Sequence, residues 1–163
     1  MSGFTDALVV SPLADGKTWV IVRDFGYDVG AENSGDHIDV AIGFKTDFAT
    51  VPRPFWAILP KWGRYGNASV LHDWLYWTQI RPRPEADAIF LEAMGVLGVS
   101  PIVKRPMYWA VRLFGWLAWY RNQADKASGF DRVLADVRFK SVVQSQRKGT
   151  LHQVASYALR RLR

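Results

Sequence analysis

Cysteine is absent from this chain of 163 residues. The sequence therefore cannot form disulfides, an iron–sulfur cluster or a thiolate zinc site, and any metal must be held by oxygen and imidazole ligands. The N-terminus lacks a basic segment followed by an apolar run, so we expect no signal peptide and a cytosolic protein. The most apolar stretch, residues 106–120, is broken by Arg112 and is too short to predict a transmembrane helix.

No P-loop, Rossmann fingerprint or serine-nucleophile motif is present, which argues against nucleotide-dependent and serine-hydrolase chemistry. The hydrophobic content of 49% is high enough for a folded core, and the length is that of one domain, which we take to span residues 1–163. The formal net charge of +6 favours an anionic partner, either nucleic acid, anionic lipid or an acidic protein surface.

The first part of the chain, residues 1–43, is mainly β in pattern. We predict a hairpin from strands at 7–13 and 18–25, a polar loop at 26–36 and a further strand at 37–42. Residues 44–66 are rich in proline and glycine and are typical of a shaped loop. These strands predict one small antiparallel sheet.

Residues 67–122 are helical in pattern. We predict a helix capped by Asn67 and running through Trp77, a second over about 85–97, and a third from Pro101 to about Asn122. Residues 123–163 are predicted to hold an ambiguous segment and a basic C-terminal helix over 150–163. The fold class is therefore α+β: a small antiparallel sheet packed with three to four helices, two of them an antiparallel pair carrying His72-Asp73 and Asp87.

The dipeptide His72-Asp73 lies on the first predicted helix, where neighbouring residues point about 100° apart and can serve two adjoining sites. Tyr76 follows on the same side of the helix, and its hydroxyl can orient a second carboxylate. Asp87, on the next helix, is placed to accept the second ring N–H of His72 and so to orient a general base. Asp47 can share a hard cation such as calcium with Asp73.

Each of these residues also has a structural interpretation. His72 can be a hydrogen-bonded core histidine, Asp47 can stabilise a turn before Pro52, and Asp87 suits the first turn of any helix. A group of aromatic residues near the third helix can form a membrane-interface face, but we favour its burial against the sheet. The group comprises Tyr108, Trp109, Phe114, Trp116, Trp119 and Tyr120.

The segments HDWLY, at 72–76, and ADAIF, at 86–90, resemble the HDxxY and ADxxF elements of the calcium-dependent phospholipase A2 superfamily, especially its cysteine-free viral-capsid branch. The resemblance implies that His72 is the general base, that Asp73 holds calcium, that Asp87 orients His72 and that Tyr76 bonds Asp87. The sequence departs from that pattern because no clear glycine-rich calcium loop precedes the helix.

A second resemblance spans residues 43–116. The blocks GFKTDFATVP, LHDWLY, ADAIFLEAM and VRLFGW are similar to a phage- and prophage-encoded family of unknown function. This resemblance implies residence in the host cytoplasm or in a phage particle. Two functions remain open: a metal-assisted hydrolase of lipid esters with calcium as its cofactor, or a non-enzymatic virion, tail or assembly protein. Partners can be anionic lipid, other phage proteins or, through the basic C-terminal helix, nucleic acid.

Overall fold

The computed structural model describes residues 2–32, 34–48 and 65–134. The strands are β1 (Gly3–Phe4), β2 (Val10–Pro12), β3 (Trp19–Ile21), β4 (Phe25–Asp28), β5 (His37–Val40) and β6 (Lys45–Thr46). The helices are α1 (Gly66–Thr78), α2 (Arg83–Val96), α3 (Pro101–Phe114) and α4 (Trp116–Ala127). The α+β fold class is confirmed: strands occupy the N-terminal third and helices follow.

The strands form two antiparallel sheets of three strands, where the sequence predicted one sheet. The predicted hairpin is present as β2 and β3, with Asp15 accepting the backbone N–H groups of Lys17 and Thr18 in its turn. The first sheet has the order β1-β4-β5 and the second the order β2-β3-β6.

The polar loop predicted at 26–36 begins later than expected, because Gly26 to Asp28 belong to β4. Tyr27 is fully buried, and β4 pairs with both β1 and β5. A Cβ atom at position 26 would lie 2.6 Å from Nε2 of His37 on the neighbouring strand, so the imidazole would have to shift if this glycine were replaced. The pairing with distant residues, which local composition does not encode, makes this segment a strand.

Helix α1 occupies the centre of the helical part and packs against both α2 and α4. Its buried residues lie on most of its circumference, as expected of a helix covered on several sides. The helix begins at Gly66 after Tyr65, so Asn67 lies in its first turn and is not the predicted N-cap. The sheets reach α1 through Phe44, whose ring packs 5.0 Å from that of Trp74.

The third predicted helix is present as α3 and α4, which meet at Gly115 with helical hydrogen bonds continuing through it, and the helical region extends to Ala127 instead of Asn122. Burial of the aromatic group was predicted wrongly for four of its six members. Trp109, Phe114, Trp116 and Tyr120 are exposed. A helix on one side of a helical layer buries only one face, and α4 uses Trp119 and Asn122 for its contacts with α1.

None of the described helices is long and apolar enough to cross a membrane. Residues 49–64 of the predicted proline- and glycine-rich loop lie outside the described residues. Most of the ambiguous segment and the whole predicted basic C-terminal helix, at 150–163, also lie outside them. The start of that segment is described, and Val133 forms an isolated antiparallel bridge with Phe44.

Candidate active site

The side chains of His72 and Tyr76 are adjacent on α1 because four residues make about one helical turn. Both are almost fully buried. The imidazole lies between two aromatic rings, with centroid distances of 4.1 Å to Tyr76 and 4.7 Å to Phe90. Packing on both sides restricts the rotation of the imidazole, so its ring nitrogens keep a fixed direction.

One carboxylate oxygen of Asp87 connects the two residues of α1. His72 Nε2 lies 3.0 Å from Asp87 Oδ1, and the Tyr76 hydroxyl donates to the same oxygen at 2.6 Å. The contact is possible because residues 79–82 connect α1 directly to α2, which packs against it. The structure thus brings together the three residues predicted as catalytic, while their catalytic roles remain predictions.

The second carboxylate oxygen of Asp87 faces two guanidinium groups. Arg112, on α3, donates from Nη1 to Oδ2 at 2.8 Å, and Arg83 lies at 3.4 Å. Burial by itself raises the pKa of Asp87, but hydrogen bonds from His72, Tyr76 and Arg112 outweigh it and hold that pKa below its ordinary value. The hydrogen bond to Asp87 in turn raises the pKa of Arg112.

An ionised Asp87 can only accept hydrogen bonds, so the proton in its contact with His72 must be carried by Nε2. In the neutral imidazole this leaves Nδ1 with a free lone pair. No residue in the described part of the chain supplies a hydrogen-bond partner to Nδ1. The arrangement therefore leaves Nδ1 as the ring nitrogen of His72 that can accept a proton.

Burial and the hydrogen bond to Asp87 raise the pKa of the Tyr76 hydroxyl above its ordinary value. Tyr76 therefore acts as a hydrogen-bond donor and keeps its proton at neutral pH. Gly115 lies directly against this hydroxyl, and a Cβ atom at position 115 would collide with it and with the carbonyl oxygen of Val111. The junction between α3 and α4 thus fits over Tyr76 only because residue 115 has no side chain.

Sequence reasoning assigned no role to Arg112 or Gly115, although both belong to the VRLFGW block. Arg112 interrupts an otherwise apolar stretch, and a cation in that setting requires a buried partner. That feature could have indicated a carboxylate such as Asp87. No local sequence pattern predicts the close approach of Gly115 to Tyr76.

The two residues predicted as metal ligands lie beside this cluster. The Thr46 hydroxyl donates to Asp73 Oδ2 at 2.6 Å and accepts the backbone N–H of Phe48 at 3.2 Å. Phe48 has a φ of 54°, a left-handed conformation that is uncommon for an aromatic residue. Asp47, between Thr46 and Phe48, is exposed. The hydrogen bond from Thr46 connects Asp73 to the end of β6.

The described residues do not by themselves form a calcium site. Calcium takes about six to eight oxygen ligands. Asp47 and Asp73 supply two carboxylates, one oxygen of which already accepts from Thr46. No group of three or more His, Asp or Glu side chains suited to a metal ion occurs among the described residues. The assignment of Asp47 and Asp73 to calcium therefore remains a prediction.

A cavity of about 580 Å³ adjoins the cluster, and His72, Asp73, Tyr76 and Asp47 all line it. Its remaining wall comes largely from α3 and α4. That wall consists of Ala110, Val111, Phe114, Gly115, Leu117, Ala118, Arg121, Asn122 and Arg132. The cavity therefore combines an apolar wall, two arginines and a buried histidine that reaches it with a small part of its surface.

A family model matches residues 19–111, which is more than half of the chain. The chain belongs to DUF1353. This family is described as "Protein of unknown function", and its match includes His72, Asp73, Tyr76 and Asp87. Arg112 and Gly115 lie just beyond the end of the match. A phage origin and the likeness to phospholipase A2 remain predictions for this DUF1353 chain.

A curated relative of this DUF1353 chain is "Uncharacterized protein y4jT" from Sinorhizobium fredii (strain NBRC 101917 / NGR234). The two are 34% identical over 94 residues, which cover 56% of this chain and 27% of the relative. The chain thus corresponds to about a quarter of that protein. No solved structure matches this chain.

Proposed function

We propose that this chain is a hydrolase of anionic lipid esters in which His72 is the general base. The proposal is carried by one observation: the imidazole of His72 is held by Asp87 at 3.0 Å and lines a cavity large enough for part of a lipid. An imidazole with one nitrogen held by a carboxylate and the other free for a proton is the arrangement that general-base catalysis needs.

The proposed reaction begins with a water molecule in the cavity. Nδ1 of His72 takes a proton from this water while the oxygen attacks the ester carbonyl carbon. Asp87 stabilises the imidazolium that forms, and Tyr76 and Arg112 keep the carboxylate ionised and in place. The imidazolium then returns the proton to the alkoxide leaving group, and the products are a fatty acid and a lysolipid.

The composition of the cavity supports a lipid as substrate. Phe114 and Leu117 give an apolar surface for an acyl chain, while Arg121 and Arg132 provide positive charge for a phosphate. An amphiphilic, anionic ester has both features. The contacts among His72, Tyr76 and Asp87 are also those that the resemblance to phospholipase A2 implies, which adds independent support.

A calcium ion held by Asp73 and Asp47 would polarise the ester carbonyl. The described residues hold too few ligands for this site, so no step above depends on it. A phage origin is part of the same proposal and rests on the resemblance of the four sequence blocks.

The second candidate is a non-enzymatic virion, tail or assembly protein in which the same cluster stabilises the fold. The near-complete burial of His72 and Asp87 favours it, because a fully satisfied buried network stabilises a unique packing without any reaction. Under this hypothesis His72 contributes to stability alone.

The two candidates are separated by His72→Gln, because the glutamine amide can still donate to Asp87 but cannot act as a base. We expect fatty-acid release from phosphatidylglycerol vesicles, measured with calcium present, to fall roughly a hundredfold or more. The Tm should stay close to that of the wild type. Absence of release from the wild-type protein, or release unchanged in the variant, would exclude the hydrolase.

A further inference from the structure

Helices α3 and α4 expose an unusual number of large apolar side chains. Seven of them, from 48% exposed at Trp116 to 86% at Ile102, form what we call the apolar face. The face consists of Ile102, Trp109, Leu113, Phe114, Trp116, Leu117 and Tyr120. Soluble proteins expose such residues singly, and a continuous group indicates a surface that binds something.

The apolar face is continuous across the junction of α3 and α4. Helical hydrogen bonds run through Gly115, whose N–H donates to Val111 and whose carbonyl accepts from Trp119. Helices α3 and α4 can therefore be treated as one nearly regular helix. Five residues of the face lie along it at spacings of seven, four, three and four, namely residues 102, 109, 113, 116 and 120. This spacing keeps them on one side of the helix.

The segment of sequence that carries the apolar face has charged residues of one sign only. No Asp or Glu occurs between Glu92 and Asp125, whereas Lys104, Arg105 and Arg121 lie within that stretch. A partner that complements this surface must be apolar in its interior and negative at its boundary. Tryptophan and tyrosine together with arginine are the side chains that favour the headgroup region of a membrane.

The apolar face also borders the cavity that contains His72. Phe114 and Leu117 are exposed on the face and at the same time line the cavity wall. A molecule held in a layer against the face therefore lies next to the cavity. This continuity connects the surface with the candidate active site.

We propose that the apolar face docks this protein onto an anionic lipid bilayer, with α3 and α4 lying along its surface. A second copy of the chain complements the face less well, because two basic surfaces would meet. The chain's own residues 135–163 are strongly basic too, so charge does not favour them as a cover. The delivery of lipid to His72 rests on the proposed function, whereas docking itself does not.

The test is co-sedimentation of the full chain with vesicles of phosphatidylcholine alone or mixed with phosphatidylglycerol. The docking variant is Trp109→Ser/Leu113→Ser, since neither residue lines the cavity. Ile80→Ser is its control, because Ile80 is 60% exposed in the turn between α1 and α2. Circular dichroism checks that each variant is folded.

We expect the wild type to bind the mixed vesicles, and the docking variant to bind them roughly tenfold or more weakly because two apolar side chains no longer enter the bilayer. The control should bind like the wild type. The difference should persist at about 0.5 M salt, where attraction between basic residues and lipid is screened. Lys104→Gln/Arg105→Gln should weaken binding at low salt only.

Equal binding by the wild type and the docking variant would overturn the proposal, as would a wild type that binds no vesicles. Self-association that the docking variant abolishes, without vesicle binding, would assign the face to a second copy instead. The docking variant should still hydrolyse a short-chain ester below its micelle concentration. His72→Gln should bind vesicles normally, so failure of docking and failure of the proposed catalysis give different results.

Discussion

Gly115 lies against the hydroxyl group of Tyr76, with no room for a side chain between them. Because Tyr76 donates to Asp87, and Asp87 holds His72, a change at this junction of two surface helices reaches the candidate active site directly.

Gly115→Ala should destabilise the protein by about 1–3 kcal/mol, because the added methyl group must displace Tyr76 or the backbone at Val111. Urea denaturation measures the change. Gly95→Ala is the matched control, since it lies inside α2 and a Cβ there meets only the flexible end of Lys104, at 3.1 Å. The control should be neutral or more stable by about 0.5–1 kcal/mol. Equal effects at the two positions would contradict the contact.

Arg112→Met should destabilise the protein by about 1–3 kcal/mol, because buried Asp87 loses its shortest bond to a guanidinium group. Arg105→Met changes the net charge equally on the exposed side of the same helix and should have little effect.

The pKa of Asp87 is lowered in the folded state. The contribution of Asp87 to the free energy of unfolding is therefore present above the unfolded pKa of about 3.9 and is lost as pH falls through the folded pKa. Acid unfolding, followed by circular dichroism, should therefore occur at higher pH in Arg112→Met than in Arg105→Met.

His37 should titrate above its ordinary pKa. Its Nδ1 lies 2.6 Å from Asp28, its Nε2 lies 3.0 Å from Asp39, and the hydrogen bond to Asp28 is the main cause of the raised pKa. The contribution of this contact to stability is full below the unfolded pKa of about 6.5 and is lost as pH rises through the folded pKa. NMR titration of the imidazole should show a lower pKa in Asp28→Asn. A His37 pKa that does not change in this variant would disprove the assignment.

If Asp73 and Asp47 hold calcium, chelation with EDTA should abolish ester hydrolysis, and isothermal titration calorimetry should detect calcium binding. Asp73→Asn should lose that binding while its amide oxygen still accepts from Thr46. Asp39→Asn removes one negative charge from an exposed strand position and serves as the control. Hydrolysis that persists in EDTA, with no heat of calcium binding, would remove the metal from the proposal and leave His72 as its centre.

Local pattern was sufficient for much of the architecture. The second helix was predicted over about 85–97 and lies at Arg83–Val96, because helix-starting prolines and apolar periodicity act within a few residues. The hairpin at β2 and β3 was likewise predicted from local pattern, because two segments of β type flank a short turn. Helical spacing also placed His72 and Tyr76 on one side of α1, and the short connection to α2 brought Asp87 within reach.

The amino-acid pattern alone thus accounts for the fold class, for most helix positions and for the residues worth examining as a site. The three-dimensional packing decided that residues 26–28 pair as a strand, that Arg112 bonds a carboxylate 25 positions away, and that Gly115 must be small. It also decided that four aromatic residues of α3 and α4 face outward, while Trp119 packs against Tyr76. The reason is that propensity depends on near neighbours, whereas burial and partner choice depend on which distant segments meet.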